Sequence, residues 1–166
     1  MSAIEPALVG APIFKGFDAE EIRDVIAVAE PFSAAAGHVF LREGEVNRSL
    51  HVIRGGAVRV ERIGVDGPVQ LAVLEAGALF GEMSFLDGSA TTATVIADRP
   101  TAVLRLGSDR LASLVRKRPT LSALLLRNIA LELKTRLVAA NELIDHYVDL
   151  NRVLAERPGA AQLLGL

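Results

Sequence analysis

Cysteine and tryptophan are both absent from the 166-residue sequence. Without cysteine the chain has no disulfide bond, no thiolate ligand for a metal and no thiol nucleophile. Aromatic residues make up only 4% of the sequence although apolar residues make up 51%, so the core must be built mainly from aliphatic side chains. The formal charge of −2 is small, which excludes attraction to nucleic acids or anionic membranes through bulk charge.

Long apolar segments are also missing. No stretch approaches the roughly 18 uninterrupted apolar residues of a membrane-spanning helix. The N-terminal sequence MSAIEPALVGAPIF has neither a basic start nor a continuous apolar segment, so it does not resemble a secretory signal. We therefore expect a cytoplasmic protein without a membrane segment. The length suits one domain with a real core, and a second unit only if that unit is a helix.

Residue patterns typical of catalysis are equally scarce. The three histidines, His38, His51 and His146, are far apart in sequence, and no acid stands at metal-ligand spacing from them. No nucleophile elbow and no Gly-Lys-Ser phosphate loop is present. We expect no enzymatic activity, no catalytic residues and no metal site. His51 lies between two apolar residues of an expected strand, where we expect an exposed or half-buried side chain.

Short segments with a period of two occupy most of the chain between residues 32 and 105. Glycine-containing turns separate them, for example at Gly55-Gly56 and from Gly64 to Gly67. The expected strands cover residues 38–42, 49–53, 57–62, 69–74, 91–97 and 101–106. Strands of this length at about ten-residue spacing predict a mainly β fold, an antiparallel barrel or sandwich, with flanking helices.

Helical patterns stand on both sides of the strands. Asp18 followed three residues later by Glu21 predicts a capping box at the start of an N-terminal helix. Ser108 is expected to cap a short helix, and Pro119 to start a much longer one. The predicted division of the chain is residues 1–118 for the N-terminal helix, strands and short helix, 119–157 for the long helix and 158–166 for a tail.

The long helix carries a heptad pattern from residue 130 onward. The residues at its a and d positions are Ala130, Leu133, Leu137, Ala140, Ile144, Tyr147, Asn151 and Leu154. A helix that packs only on its own domain does not need so strict a register, so we expect these residues to form a homodimer interface in which Asn151 fixes the register. The alternative is an amphipathic helix folded back on the strands. Parallel and antiparallel pairing both fit the pattern.

The segment over residues 79–95, LFGEMSFLDGSATTATV, has a different character. Gly81 and Gly88 bracket six residues that are too few for a core helix and too apolar for a solvated loop, which predicts a single helical turn between strands. The first N–H groups of such a turn and the helix dipole form an anion site without a basic side chain. Glu82 adds a carboxylate that suits a phosphate attached to a sugar with a free hydroxyl.

This segment resembles the phosphate-binding cassette of the cyclic nucleotide-binding domain family. The residues that match the family pattern are Phe80, Gly81, Glu82, Met83, Ser84, Ala93, Thr94 and Val95. The resemblance covers nearly the whole chain and implies an eight-stranded antiparallel β-roll with an N-terminal helix, a short helix and a long C-terminal helix. It implies cyclic AMP or cyclic GMP as the ligand, and no other cofactor.

The resemblance also implies a set of ligand-binding residues, Phe80, Gly81, Glu82, Met83, Ser84, Thr91 and Thr92. Glu82 would accept a hydrogen bond from the ribose 2′-hydroxyl, and the backbone from Gly81 to Ser84 would hold the phosphate. Thr91 replaces the family's phosphate-binding arginine, which should weaken binding by about tenfold to over a hundredfold. We expect Thr91 and Thr92 to act as neutral donors near the phosphate. The candidates for a substitute cation are Arg54, Arg59, Arg62 and Arg105.

These observations predict a regulatory module that senses a small phosphate-containing ligand and signals to an effector protein through its dimeric C-terminal helix. The alternative is a β-roll that has lost its ligand and serves only as a dimerisation or protein-interaction module. Relatives that act as transcription factors continue into a helix-turn-helix domain. This sequence ends within twelve residues of Leu154, so we expect no direct DNA binding through such a domain.

Overall fold

The computed structural model of the chain describes residues 6–155. Within this range the strands are β1 (Glu30–Ala34), β2 (Val39–Leu41), β3 (Ser49–Gly55), β4 (Ala57–Gly64), β5 (Gly67–Glu75), β6 (Leu79–Phe80), β7 (Thr94–Ala97) and β8 (Thr101–Gly107). The helices are α1 (Pro6–Val9), α2 (Ala19–Val28), α3 (Glu82–Asp87), α4 (Ser108–Lys117) and α5 (Pro119–Ala155), with a 3₁₀ turn at Pro12–Phe14. The predicted tail over residues 158–166 lies outside the described residues.

The strands form two four-stranded antiparallel sheets. One sheet has the order β1-β8-β3-β6, and the other has the order β2-β7-β4-β5. Among the described strands, every connection passes from one sheet to the other except the β4–β5 hairpin. This is the jelly-roll-like β-roll that the sequence predicts, so the predicted fold class is confirmed.

The core of the β-roll lies between the two sheets. Three side chains from each sheet form it, and all six are less than 10% exposed: Leu41, Ile53, Val58, Phe80, Val95 and Val103. Burying a side chain of this size contributes roughly 1.5–3 kcal/mol relative to leaving it in water. Five of the six are aliphatic, which agrees with the low aromatic content of the chain.

Helix α2 begins with the predicted capping box. The Asp18 carboxylate accepts hydrogen bonds from the N–H groups of Glu20 and Glu21, both at 2.8 Å. The Glu21 carboxylate in turn accepts from the Asp18 N–H at 2.9 Å. Together these bonds satisfy donors that the first helical turn leaves without an internal acceptor. The helix then buries Ile22 and Val25.

The start of α4 differs from the prediction by one residue. Ser108 is the first helical residue and not the cap, and Gly107 precedes it in an extended conformation without a side-chain cap. The reason lies in the turn before β3, because the Ser108 N–H donates to the Arg48 carbonyl oxygen at 2.9 Å. That bond holds the start of α4 against the β-roll and satisfies the N–H of the first helical residue, one of the donors that a helix leaves without an internal acceptor.

Helix α5 begins at Pro119, as the sequence predicts. Its first turns bury Leu121, Leu125 and Ile129. The buried Asn128 side chain donates to the carbonyl oxygens of Ile13 and Lys15, each at 2.8 Å, and so ties the N-terminal segment to the helix. The chain divides between Ile129 and Ala130 into two compact units.

The second unit consists, within the described residues, of the part of α5 that starts at Ala130. Every described side chain from Leu137 to Leu150 is exposed, and the exposed fractions of Leu137, Ile144 and Tyr147 are 62%, 58% and 58%. The predicted interface residues Asn151 and Leu154 lie on the helix, but their side chains are outside the described residues. None of the described helices is long and apolar enough to cross a membrane.

Two adjacent glycines, Gly55 at the end of β3 and Gly56 between β3 and β4, allow a matched test of the sheet packing. Gly56 has a φ of +87°, and a Cβ there would lie 2.3 Å from the Pro100 carbonyl oxygen and 2.6 Å from Thr101 Oγ1. Gly56→Ala should therefore lower the free energy of unfolding by about 3 kcal/mol or more. The measurement is urea denaturation followed by circular dichroism.

Gly55→Ala is the control for this substitution. A Cβ at Gly55 meets no atom within 4 Å, so the free energy of unfolding should change by less than about 1 kcal/mol. If the two substitutions changed the free energy of unfolding equally, the close approach of Gly56 to the turn before β8 would be contradicted.

Candidate functional site

The 79–95 segment forms β6, helix α3 and the approach to β7. Gly81 precedes α3 with a left-handed backbone at φ +82°, and Gly88 follows it at φ +71°. A Cβ on Gly81 would lie 2.8 Å from the Asn47 side-chain nitrogen and 2.9 Å from the Ser49 carbonyl oxygen. Only glycine combines this backbone conformation with so close an approach. The single helical turn expected between two glycines is therefore present.

Glu82 is the first residue of α3, and only 5% of it is exposed. The first hydrogen bond of the helix runs from the Phe85 N–H to the Gly81 carbonyl oxygen at 3.1 Å. As the first helical residue, Glu82 stands at the positive end of the helix dipole, which stabilises a negative charge. The core aromatic Phe80, which is 2% exposed, precedes this turn and anchors it in the β-roll.

Ser84 is 1% exposed, and its side chain is used within the protein. Its hydroxyl accepts a hydrogen bond from the Asn47 N–H at 3.0 Å and lies 2.8 Å from the Asn47 carbonyl oxygen. The Ser89 carbonyl oxygen is a second acceptor for the same proton. The hydroxyl thus stabilises the cassette, here defined as residues 79–95. A ligand at Ser84 could contact only the backbone N–H of this residue, because the hydroxyl is already used within the protein.

Thr91 has a similar internal role. It is 7% exposed, and its hydroxyl donates to the carbonyl oxygens of Arg42 and Glu45, the latter at 3.0 Å. Its backbone N–H also donates to Glu45, and its carbonyl oxygen accepts from Gly44. The expectation of Thr91 as a free neutral donor near a phosphate is corrected by these contacts. Strand β7 starts at Thr94, three residues later than predicted.

Thr92 and Met83 lie together at the surface of the cassette. The Thr92 hydroxyl is 3.8 Å from the Met83 sulfur, and Met83 is 49% exposed. Thr92 is exposed as well, so of the two predicted threonines it is the one whose hydroxyl faces solvent. The structure therefore brings Thr92 against Met83, the residue after Glu82, while the hydroxyl groups of Ser84 and Thr91 hold the cassette in place.

Three of the four candidate cations are paired with carboxylates elsewhere. Arg59 contacts Glu61 at 2.5 Å and Asp98 at 3.8 Å. The nitrogen–oxygen distances of the other two pairs are 3.6 Å for Arg62 with Glu43 and 2.9 Å for Arg105 with Glu30. The fourth candidate, Arg54, is half-buried on β3. Within residues 6–155 no three His, Asp or Glu side chains cluster in a way that could hold a metal ion.

His51 is buried, which corrects the expectation of an exposed or half-buried side chain. It is 5% exposed and stacks on Phe80 with ring centroids 4.7 Å apart and an interplanar angle of 4°. Phe40 contacts both rings edge-on. Burial lowers the pKa of His51 to about 4, the charge of Arg105 acts in the same direction, and backbone hydrogen bonds at Ser49 and Phe80 oppose the shift only in part.

Asn47 is a residue that the sequence analysis did not single out. Its side-chain nitrogen lies 2.6 Å from the Ser49 carbonyl oxygen and 3.3 Å from the Gly81 carbonyl oxygen. The only sequence signal is its place in a short polar stretch after Gly44, which is typical of a turn. Its partner on the cassette is 34 residues away, and no local pattern predicts that contact.

Comparison with known proteins identifies the family. The family model described as cyclic nucleotide-binding domain matches residues 31–118, which is more than half of the chain. The chain therefore belongs to the cyclic nucleotide-binding domain family, and the resemblance seen in the sequence is confirmed. The match includes the whole cassette with Gly81, Glu82 and Thr91.

Individual relatives span several kinds of protein. The chain is 31% identical over 125 residues to the cyclic AMP receptor protein of Thermus thermophilus, covering 72% of this chain and 58% of the receptor. It is 34% identical over 128 residues to glutaminase 2 of Bradyrhizobium diazoefficiens, covering 77% of this chain and 20% of that protein. The chain thus spans less than two thirds of the length of these relatives.

A solved structure with the same fold is the cyclic nucleotide-binding domain from Methylobacillus flagellatus. The TM-score is 0.77 and the sequence identity 28%, and the match covers 85% of this chain and 80% of that chain. Its helices and strands therefore follow the same course as those described above over most of their length.

The burial of His51 predicts a pH-dependent stability. The pKa is about 6.5 in the unfolded chain and about 4 in the folded one, so the unfolded state binds more protons between these values. The free energy of unfolding should therefore be highest above pH 6.5 and should fall as the pH is lowered towards 4. The neutral, buried state of His51 accounts for a loss on the order of 3 kcal/mol over this range. Urea denaturation at a series of pH values measures it.

The contribution of His51 is isolated by comparison with two variants. His51→Phe keeps an aromatic ring against Phe80 and should flatten the pH dependence between pH 4 and 6.5. His146→Gln changes an exposed histidine and should leave the wild-type dependence intact. A His51→Phe profile parallel to that of the wild type would contradict the depressed pKa.

Proposed function

We propose that this chain is a regulatory module that binds a cyclic mononucleotide at the cassette and signals through a dimer formed by α5. The ligand would favour one arrangement of the C-terminal helices over another, and the change in population would be passed to an effector protein. The name of the Thermus relative, a cyclic AMP receptor, makes cyclic AMP the first ligand to test, with cyclic GMP beside it.

The position of Glu82 is the observation that carries this proposal. The carboxylate is almost fully buried directly after Gly81, at the start of α3, which is where the family pattern has its ribose-binding glutamate. In this role Glu82 accepts a hydrogen bond from the ribose 2′-hydroxyl. A carboxylate acceptor makes a stronger hydrogen bond than a neutral group, so it contributes a large share of the affinity for the sugar.

The phosphate is bound mainly by the backbone in this proposal. The N–H groups of Met83 and Ser84 precede Phe85, whose N–H makes the first bond of α3, so they point out of the N-terminal end of the helix. The exposed hydroxyl of Thr92 adds one neutral donor. Because no arginine stands at position 91, the affinity should be lower than with that cation present, by about tenfold to over a hundredfold.

The dimer is proposed from the exposed seam of α5. The residues at the a and d positions are small or apolar from Ala130 to Tyr147, and the large ones are more than half exposed from Leu137 onward. A continuous apolar stripe of this kind on a helix is a binding surface for another helix. A second copy of the chain carries the same stripe and therefore fits it.

A second candidate function is a ligand-free interaction module. It is favoured by Thr91, which replaces the family arginine and uses its hydroxyl within the protein. In that case the β-roll serves as a scaffold and only the α5 dimer is functional. Direct ligand titration separates the two functions.

Calorimetric titration with cyclic AMP and cyclic GMP tests the ligand proposal. The wild-type chain should bind at least one of them, and Glu82→Ala should abolish the measurable heat because the ribose acceptor is gone. Glu82→Gln keeps a neutral acceptor and should weaken binding by about tenfold.

Asp66→Asn is the matched control, since it also removes one negative charge, from an exposed turn between β4 and β5. It should bind like the wild type. Absence of heat at millimolar concentrations of both nucleotides would overturn the sensor function in favour of the ligand-free module.

Sedimentation equilibrium tests the dimer. The wild type should sediment as a dimer, and Leu137→Lys or Ile144→Lys should raise the dissociation constant by about a hundredfold or more because each places an unpaired charge in the apolar seam. His146→Lys introduces the same side chain at an exposed position outside the a and d seam and should leave the dimer intact. A monomeric wild type, or equal weakening by all three substitutions, would contradict the interface.

A further inference from the structure

We propose that Asn47 is the positioning residue of the cassette, and that its side chain sets the direction of the Glu82 carboxylate and of the first amides of α3. This inference rests on the proposed function, because it concerns the same ligand site. Asn47 is half-buried in the turn between β2 and β3 and does not belong to the family pattern of the cassette.

The first contact is with the start of α3. The Asn47 side-chain nitrogen lies 3.3 Å from the Gly81 carbonyl oxygen, which is also the acceptor of the first hydrogen bond of the helix, from Phe85. The Gly81 carbonyl oxygen therefore accepts two hydrogen bonds, one from the Phe85 N–H of the helix and one from the Asn47 side chain. Since Glu82 is joined directly to this peptide unit, any movement of the Gly81 carbonyl turns Glu82 as well.

The asparagine itself is held rigidly. Its side-chain nitrogen donates to the Ser49 carbonyl oxygen at 2.6 Å, and its side-chain oxygen accepts from the Ser49 N–H at 3.1 Å. Ser49 is the first residue of β3, a central strand of its sheet. The amide group is thereby fixed to the β-roll by two bonds before it reaches the cassette, which is how a supporting residue fixes a binding site.

The backbone of Asn47 makes a second attachment one turn further along α3. Its N–H donates to the buried Ser84 hydroxyl at 3.0 Å, and its carbonyl oxygen lies 2.8 Å from the same hydroxyl. The helix is thus held at Gly81 by the side chain and at Ser84 by the main chain. Hydrogen bonds at two points of a six-residue helix fix the direction of its axis. They thereby fix the direction of the amides that would face the phosphate.

The same turn continues to α4. The carbonyl oxygen of Arg48, the next residue, accepts from the Ser108 N–H at 2.9 Å. Two consecutive residues of the turn therefore contact the cassette on one side and the first residue of α4 on the other. A displacement of the cassette by a ligand reaches the start of α4 through Asn47 and Arg48.

Asn47→Ala and Asn47→Asp test this role in the full-length chain. Alanine removes the whole amide, and aspartate keeps the acceptor for the Ser49 N–H but loses the donor to Gly81. Both should weaken binding of cyclic AMP or cyclic GMP by about five- to tenfold, the value of one hydrogen bond. Both should also speed amide hydrogen exchange at residues 85–88, whose N–H groups are bonded within α3 and at its C-terminal end, by a similar factor, while the exchange of the core amides of β3 and β8 stays at the wild-type rate.

Val46→Ala is the control, because it changes an exposed side chain next to Asn47 in the same turn. Its affinity and its exchange at residues 85–88 should equal those of the wild type. Urea denaturation of each variant without ligand supplies the global stability, so that a general loss of structure is recognised by faster exchange throughout the β-roll.

The outcomes separate this inference from the proposed function. If the wild type binds a nucleotide and both Asn47 variants show the same affinity and the same exchange rates as the wild type, the positioning role is overturned. The ligand site itself is not affected by that result. Wild-type protein that binds neither nucleotide would overturn the ligand site, and local exchange at residues 85–88 would still decide whether Asn47 holds α3. If amide exchange is faster throughout the β-roll in proportion to a loss of global stability, Asn47 stabilises the whole fold and does not position the cassette, which also overturns the inference.

Discussion

Hydrogen bonds between the cassette and the turn that precedes β3 are the constraint on which the site depends. The turn holds the cassette near its beginning through Asn47 and near its end through the contacts of Thr91 with Glu45. A buried polar group without a partner costs roughly 1–3 kcal/mol, so these bonds must all be formed for the segment to pack. They leave α3 in one orientation, and the buried Glu82 carboxylate takes its direction from that orientation.

This constraint changes the chemistry expected of the hydroxyl groups. Ser84 and Thr91 occupy cassette positions and carry polar side chains, yet both side chains serve the backbone of the neighbouring turn. The site that results is poor in side-chain donors and rich in backbone amides. In the proposed function, such a site would bind the phosphate with less positive charge than one containing arginine, and it would rely more on its carboxylate to hold the sugar. Affinity should therefore depend on the sugar more than is usual where an arginine is present.

The fold was largely predictable from local patterns, and the site only in part. Alternating apolar residues and turn glycines locate most of the strands, and Asp18 with Glu21 marks the start of α2, because these signals act within a few residues. Gly81 and Glu82 were identified for the same reason. The partners of Ser84 and Thr91 lie 37 and 46 residues away and depend on how the sheets face each other. The burial of His51 likewise depends on the stacking with Phe80, which alternation along one strand does not specify.

The crossing of the chain between the two sheets has a consequence for how the protein reaches its native state. Apart from the β4–β5 hairpin, each described strand pairs with partners that are distant along the chain, so β1 pairs with β8 and β2 with β7. Closing such long loops costs conformational entropy, and this cost is offset only when the two sheets pack together. An early intermediate therefore has few contacts that stabilise it. The β-roll should consequently fold on a timescale of milliseconds to seconds, with the β4–β5 hairpin as its most local nucleus.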